Sequence, residues 1–126
     1  MRIVERELKT ARIYCSDAIA KWLIEALMSE LLPDAVSIRG RVSIRLLDGS
    51  TIVVSARRGS VQVSVSGSDD AAERVARAIE LVKELARELE TVKRLVDEGR
   101  EDEARRALEE LRRRLEEAGI RDRAVP

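Results

Sequence analysis

The sequence predicts an α+β domain: an antiparallel β-sheet of about four strands with helices on one face, in the order β-α-β-β-β-α, extended by a C-terminal helical hairpin. Three observations predict it. Apolar and polar residues alternate with period two from Val36 to Leu46 and again around Ile52–Ala56 and Val61–Val65. Asp48-Gly49 sits between two such runs, and this pair favours tight hairpin turns because Asp and Gly tolerate positive φ. Beyond Ser68 the period changes, and apolar residues recur every three or four positions, as on one face of a helix.

The elements follow in order. Ile3 to Cys15 carries β-compatible residues whose parity changes between Leu8 and Ala11, so one strand with a bulge or break near Lys9-Thr10 is expected. Ser16 or Asp17 can cap a first helix with Ile19, Trp22, Leu23, Ala26 and Leu27 as its buried stripe, and Pro33 ends it. Ile24, Met28, Leu31 and Leu32 widen that stripe beyond one sheet contact. Two explanations stand: a helix enclosed by its own fold, or a subunit interface.

The middle reads as a three-stranded meander with one apolar face. Val36, Ile38, Val42, Ile44 and Leu46 point inward on its first strand, with Gly40 as a bulge. After the Asp48-Gly49 turn come Ile52, Val54 and Ala56; a second turn at Arg57-Arg58-Gly59-Ser60 leads to Val61, Val63 and Val65. Ser68-Asp69-Asp70 opens the second helix with a cap and two carboxylates at the positive end of its dipole. Val75, Ala78, Val82, Leu85, Leu89, Val92 and Val96 form a seam suited to another helix, and the helix is long enough to project past the sheet. Gly99 suits a left-handed stop, and Asp102 can start a third helix bearing Ala104, Leu108, Leu111, Leu115 and Ala118. Glu90 with Arg94, Glu101 with Arg105, Glu109 with Arg113 and Glu110 with Arg114 stand at the i,i+4 spacing that supports helices. The expected division is residues 1–98 as the α+β domain, 99–120 as the returning helix and 121–126 as a tail.

Composition narrows the chemistry. At 126 residues the chain fits one core, and 44% hydrophobic with 38% charged residues describes a globular protein with a heavily charged exterior. Twenty of its 24 basic residues are Arg, a composition compatible with thermophilic origin. A single Cys excludes an intramolecular disulfide, the N-terminus is charged where a secretion signal is apolar, and no run is long enough to span a membrane. A cytoplasmic setting is expected. Without His the commonest general acid-base and metal sites are closed, and the scattered glycines match no phosphate loop. Neither cofactor nor metal is expected. Cys15 is either a small apolar residue at a strand end or a thiol activated by the helix that follows.

Charge is unevenly placed. From Ser37 to Ser66 stand Arg39, Arg41, Arg45, Arg57 and Arg58 against the single acid Asp48, whereas the second half has 17 acids and 14 bases. These five Arg are the candidate nucleic-acid surface, since guanidinium forks suit phosphates. The alternative is a solvated outer face that blunts aggregation. The candidate contact residues for a protein partner are Trp22, Ile24, Met28, Leu31, Leu85, Leu89, Val92 and Val96.

From Thr10 to Glu90 the chain resembles the small dimerisation subunit of the KEOPS complex and its archaeal paralogue. Ser16-Asp17-Ala18-Ile19-Ala20-Lys21, Leu31-Leu32-Pro33 and Arg41-Val42-Ser43-Ile44-Arg45-Leu46-Leu47-Asp48-Gly49 carry the resemblance. It implies a non-catalytic, dimerising accessory subunit that docks on an ATP-dependent catalytic subunit and helps the assembly hold tRNA for threonylcarbamoyl-adenosine synthesis. The helix, meander, helix order is also similar to a double-stranded RNA-binding domain, but Asp69-Asp70 stand where that family places cations against phosphate. The alternative function is a homo-oligomeric structural or adaptor protein without nucleic acid.

Overall fold

The computed structural model describes residues 2–7, 10–31, 35–39, 43–57 and 59–120. Among these described residues nine elements follow one another: β1 (Arg2–Glu7), β2 (Thr10–Tyr14), α1 (Asp17–Leu31), β3 (Ala35–Arg39), β4 (Ser43–Leu46), β5 (Thr51–Arg57), β6 (Ser60–Ser66), α2 (Asp69–Asp97) and α3 (Glu101–Glu117). The strands form one antiparallel sheet in the order β1-β2-β6-β5-β4-β3. Its centre, β2-β6-β5-β4, is the expected four-stranded sheet.

The two outer strands arise where a single irregular strand was expected. The opening stretch folds back on itself, pairing Arg6 with Ala11 and Glu7 with Thr10. The parity change near Lys9-Thr10 therefore marks a reversal of direction. The segment around Gly40 likewise separates two strands, with Ile38 opposite Ile44 and Arg39 opposite Ser43. From Ser37 to Arg39 odd-numbered residues pair with odd-numbered and even with even, so the sequence alternation of one strand continues in the next and conceals the reversal.

One side of the sheet makes the core. Ile13, Ile44, Leu46, Ile52, Val54, Val61, Val63 and Val65 are buried against Ile19, Trp22, Leu23 and Leu27 of α1 and Val75, Ala78, Val82 and Leu85 of α2. Helix α1 begins at Ser16, whose carbonyl accepts from Ala20 N at 2.9 Å. Its C-terminal end is closed from outside, because Arg74 of α2 donates to the Glu30 carbonyl at 2.6 Å and pairs with the Glu30 carboxylate at 3.3 Å. Wrapped in this way, Trp22 and Leu31 are core residues.

The α2 seam is covered by α3, which runs back along it. Leu111, Leu115 and the following Ile120 enter the main core, and Gly119 packs against Ser29 of α1. Val92, Leu95 and Ala104 are buried nearer the hairpin tip, outside that core, so α2 does extend past the sheet. Leu95 takes the inward place expected for Val96, which is 57% exposed. Val92 and Leu95 lie outside the main core, so the buried side of the last turns of α2 is set by its packing on α3 and not by the sheet. Helix α3 starts at Glu101, one residue before Asp102, and its cap position Arg100 offers no side-chain hydrogen bond. Asp102 acts there as a first-turn acid. Arg114 reaches across to Glu84 (3.1 Å) and Glu88 of α2, while Glu110 pairs with Arg113. The expected pair of Glu110 with Arg114 is thus replaced by a link between helices.

A polar node locks α2 to the sheet. The Ser68 hydroxyl caps α2 by accepting from Ala71 N (3.2 Å) and donates to the Asp48 carboxylate (2.7 Å). The Ser68 N–H donates to the Ser50 hydroxyl at 3.0 Å, and Ser50 N–H donates to Asp48 at 2.8 Å. Between them Gly67 has φ 128°, and a Cβ there would lie 2.5 Å from Ser50 Oγ and 2.7 Å from Ser50 Cα. Both the backbone angle and the space demand glycine. Gly67→Ala is expected to lower unfolding free energy by about 1–3 kcal/mol or more, measured by urea denaturation; a neutral substitution would contradict this packing.

Candidate nucleic-acid interface

Because both α1 and α2 cover one side, the outward-pointing residues of β2, β6, β5 and β4 form an open face. The registers define its rows: Tyr14, Ser60 and Arg57 in one; Arg12, Gln62 and Ser55 in the next; Thr10, Ser64, Val53 and Ser43 in the third; Ser66, Thr51 and Arg45 in the last. Alternation on a pleated strand places these residues opposite the core residues between them. Arg45 and Arg57 are exposed, Val53 is 43% exposed and Tyr14 39%. Among the described side chains of these four strands, the face carries three guanidinium groups and no carboxylate.

Of the five Arg expected from the sequence, the structure brings Arg45 and Arg57 onto this one face. Arg39 stands on edge strand β3 in register with Ser43, which places its position in the same row. Arg41 and Arg58 lie outside the described residues. Arg12 was missed. It lies between Ala11 and inward-facing Ile13, so its parity marked it as outward once the direction of β2 was known. Its Nη2 donates to Gln62 Oε1 at 3.1 Å. At the far edge, the β1 positions Arg2, Glu5 and Glu7 stand in register with Tyr14, Arg12 and Thr10.

The cations are spread. With about 4.8 Å between strands and about 3.4 Å per residue, Arg12 and Arg57 are about 12 Å apart, and Arg45 is about 20 Å from either. That spacing touches an extended polyanion at several points and is too wide to enclose a small anion.

The candidate protein contacts divide differently. Trp22, Leu31 and Leu85 are fully buried and Val92 is buried under α3, so none of these four offers a surface. Ile24, Met28 and Leu89 are partly buried against the core, which leaves Val96 as the exposed member. A groove of about 300 Å³ lies where the three helices meet, and its lining includes Glu30, Arg77 and Glu117, so both signs of charge stand along it.

No second arrangement with evident chemistry emerges among the described residues. No group of three or more Cys, Asp or Glu side chains gathers to hold a metal, and no helix is long and apolar enough to cross a membrane. Burial pushes the Cys15 thiol above its ordinary pKa, away from a thiolate nucleophile. Hydrogen bonds from Ser50, then from Ser68, hold the Asp48 carboxyl at about 2, far below the range of a base at neutral pH.

Two measurements follow from these states. Cys15 should react with a thiol reagent more slowly than a free cysteine at pH 8, and labelling at the rate of a small-molecule thiol would count against its burial. Asp48, with a folded pKa near 2 against an ordinary 3.8, stabilises the fold above about pH 4, and this contribution fades as pH falls toward 2. Asp48→Asn should therefore melt below wild type at pH 7, with the gap closing toward pH 2; a gap independent of pH would refute the linkage. No family model matches the chain, and no curated protein matches it.

Proposed function

We propose that this chain is a non-catalytic accessory subunit that contacts RNA through the open face of its sheet. One observation carries the reading: Arg12, Arg45 and Arg57 share a face with a broad set of hydroxyls and, among the described side chains of β2, β4, β5 and β6, no carboxylate. Guanidinium groups bind phosphate through a planar fork, and hydroxyls can donate to phosphate or to ribose. The acid positions Glu5 and Glu7 stand on the neighbouring edge strand β1, in register with Arg12 and Thr10, so the cationic stretch of the face is the part formed by β4, β5 and β6 together with Arg12.

The resemblance to the small dimerisation subunit of the KEOPS complex supplies the setting: an assembly that modifies tRNA, in which this subunit supplies contact and a catalytic partner supplies the chemistry. Ile24, Met28, Leu89 and Val96, the candidate contacts with accessible surface, are where a partner or second copy would bind.

The test is tRNA affinity as a function of salt. If the face neutralises about three phosphates, the logarithm of the binding constant should fall with the logarithm of salt concentration with a slope of about −2 to −3. Arg45→Ala and Arg57→Ala should each reduce that slope by about 1. No binding at low salt would remove RNA from the account and favour the homo-oligomeric adaptor.

A further inference from the structure

The open face is uneven, and one end of it has the parts of a nucleotide site. Tyr14 is the only tyrosine of a chain that has no Phe and whose single Trp is buried, so it is the one aromatic ring this protein presents to solvent. It lies in the row of Ser60 and Arg57, two strands from the latter, and two residues along β2 from Arg12. Strand geometry puts Arg12 about 7 Å and Arg57 about 10 Å from Tyr14 at the backbone. The Gln62 carbonyl is already engaged by Arg12, which leaves its amide Nε2 as a donor in the row next to that of Tyr14.

We infer that Tyr14, Arg12, Arg57 and Gln62 hold one unpaired nucleotide of a single-stranded RNA segment, with its base on the Tyr14 ring and its flanking phosphates at the two Arg. The inference rests on the RNA reading and deepens it. A duplex offers this face only phosphates and sugars, since its bases are stacked on one another; only an unpaired base has a free π-face to lay on the ring. Because every base has such a face, and stacking reads no base edge, binding tolerates sequence. Arg45, at the other end, meets phosphate further along the strand.

The experiment compares 12-nucleotide oligouridylate, oligoadenylate and an RNA duplex of equal length at one low salt concentration, against wild type, Tyr14→Phe and Tyr14→Ala. Both single strands should bind wild type more tightly than the duplex and within a few-fold of each other. Tyr14→Ala should weaken single-strand binding by about 5- to 150-fold without changing the salt slope, while Tyr14→Phe stays near wild type. A 4-thiouridine oligomer irradiated on the wild-type protein should attach to the Tyr14 peptide, a readout that does not depend on how a variant folds. Salt-sensitive binding that ignores Tyr14, or a duplex bound as tightly as a single strand, would overturn this assignment while leaving the RNA reading intact. Binding to neither would remove both.

Discussion

The structure depends on one constraint: among the described residues, a single sheet face must bury most of the β-strand aliphatic side chains of a chain without Phe. Ile, Leu and Val from alternate strand positions supply a flat apolar layer, and a flat layer is covered most completely by helices lying side by side. α1 and α2 are both drawn to it. Their recruitment to the same side leaves the opposite face uncovered, so the open surface with its guanidinium groups is the geometric counterpart of the core. α3 then completes the burial that the sheet cannot provide for α2.

Hydrophobic burial has no direction, so something else must set where along the sheet the helices sit. The turn between β4 and β5 does this for α2. Asp48, Ser50 and Ser68 satisfy one another and the helix start within one small node, and Gly67 brings the two turns into contact. Arg74, one helical turn further on, does the same for the end of α1 through Glu30. Two polar contacts near the start of α2 thereby orient both helices that shape the core. Ser50, the buried polar residue at their centre, is fully engaged, as a hydroxyl removed from water must be.

Much of this was legible in the sequence because period and turn chemistry are local. The strands β5 and β6 and the helical hairpin follow from spacing, and the cap at Ser68 from residue type, while the first cap is open between Ser16 and Asp17 in the sequence and falls at Ser16. What was hidden depended on reversals. Across the β3–β4 hairpin the inward parity continues unchanged, so Gly40 reads as a bulge. The first hairpin was concealed for a related reason: its two short strands together look like one imperfect strand. Arg12 was lost with it, since its outward position became evident only when β2 was paired with β6. The same non-locality separates the candidate contacts. Trp22 and Leu85 look like surplus apolar surface on isolated helices, and only the packing of α1, α2 and α3 shows them enclosed. Asp48 and Ser68 read as a turn and a cap, 20 residues apart, and nothing local announces that they meet.

The length of α2 has a mechanical consequence. At 29 residues it is a rod of about 43 Å. Its N-terminus is pinned at the Asp48 node, its middle is clamped by the core, and its last turns carry only the returning α3. Force applied at the tip therefore acts on a lever with its fulcrum in the core. A load placed near Val96 is borne first by the α2–α3 pair, outside the main core, before it reaches the helices packed on the sheet.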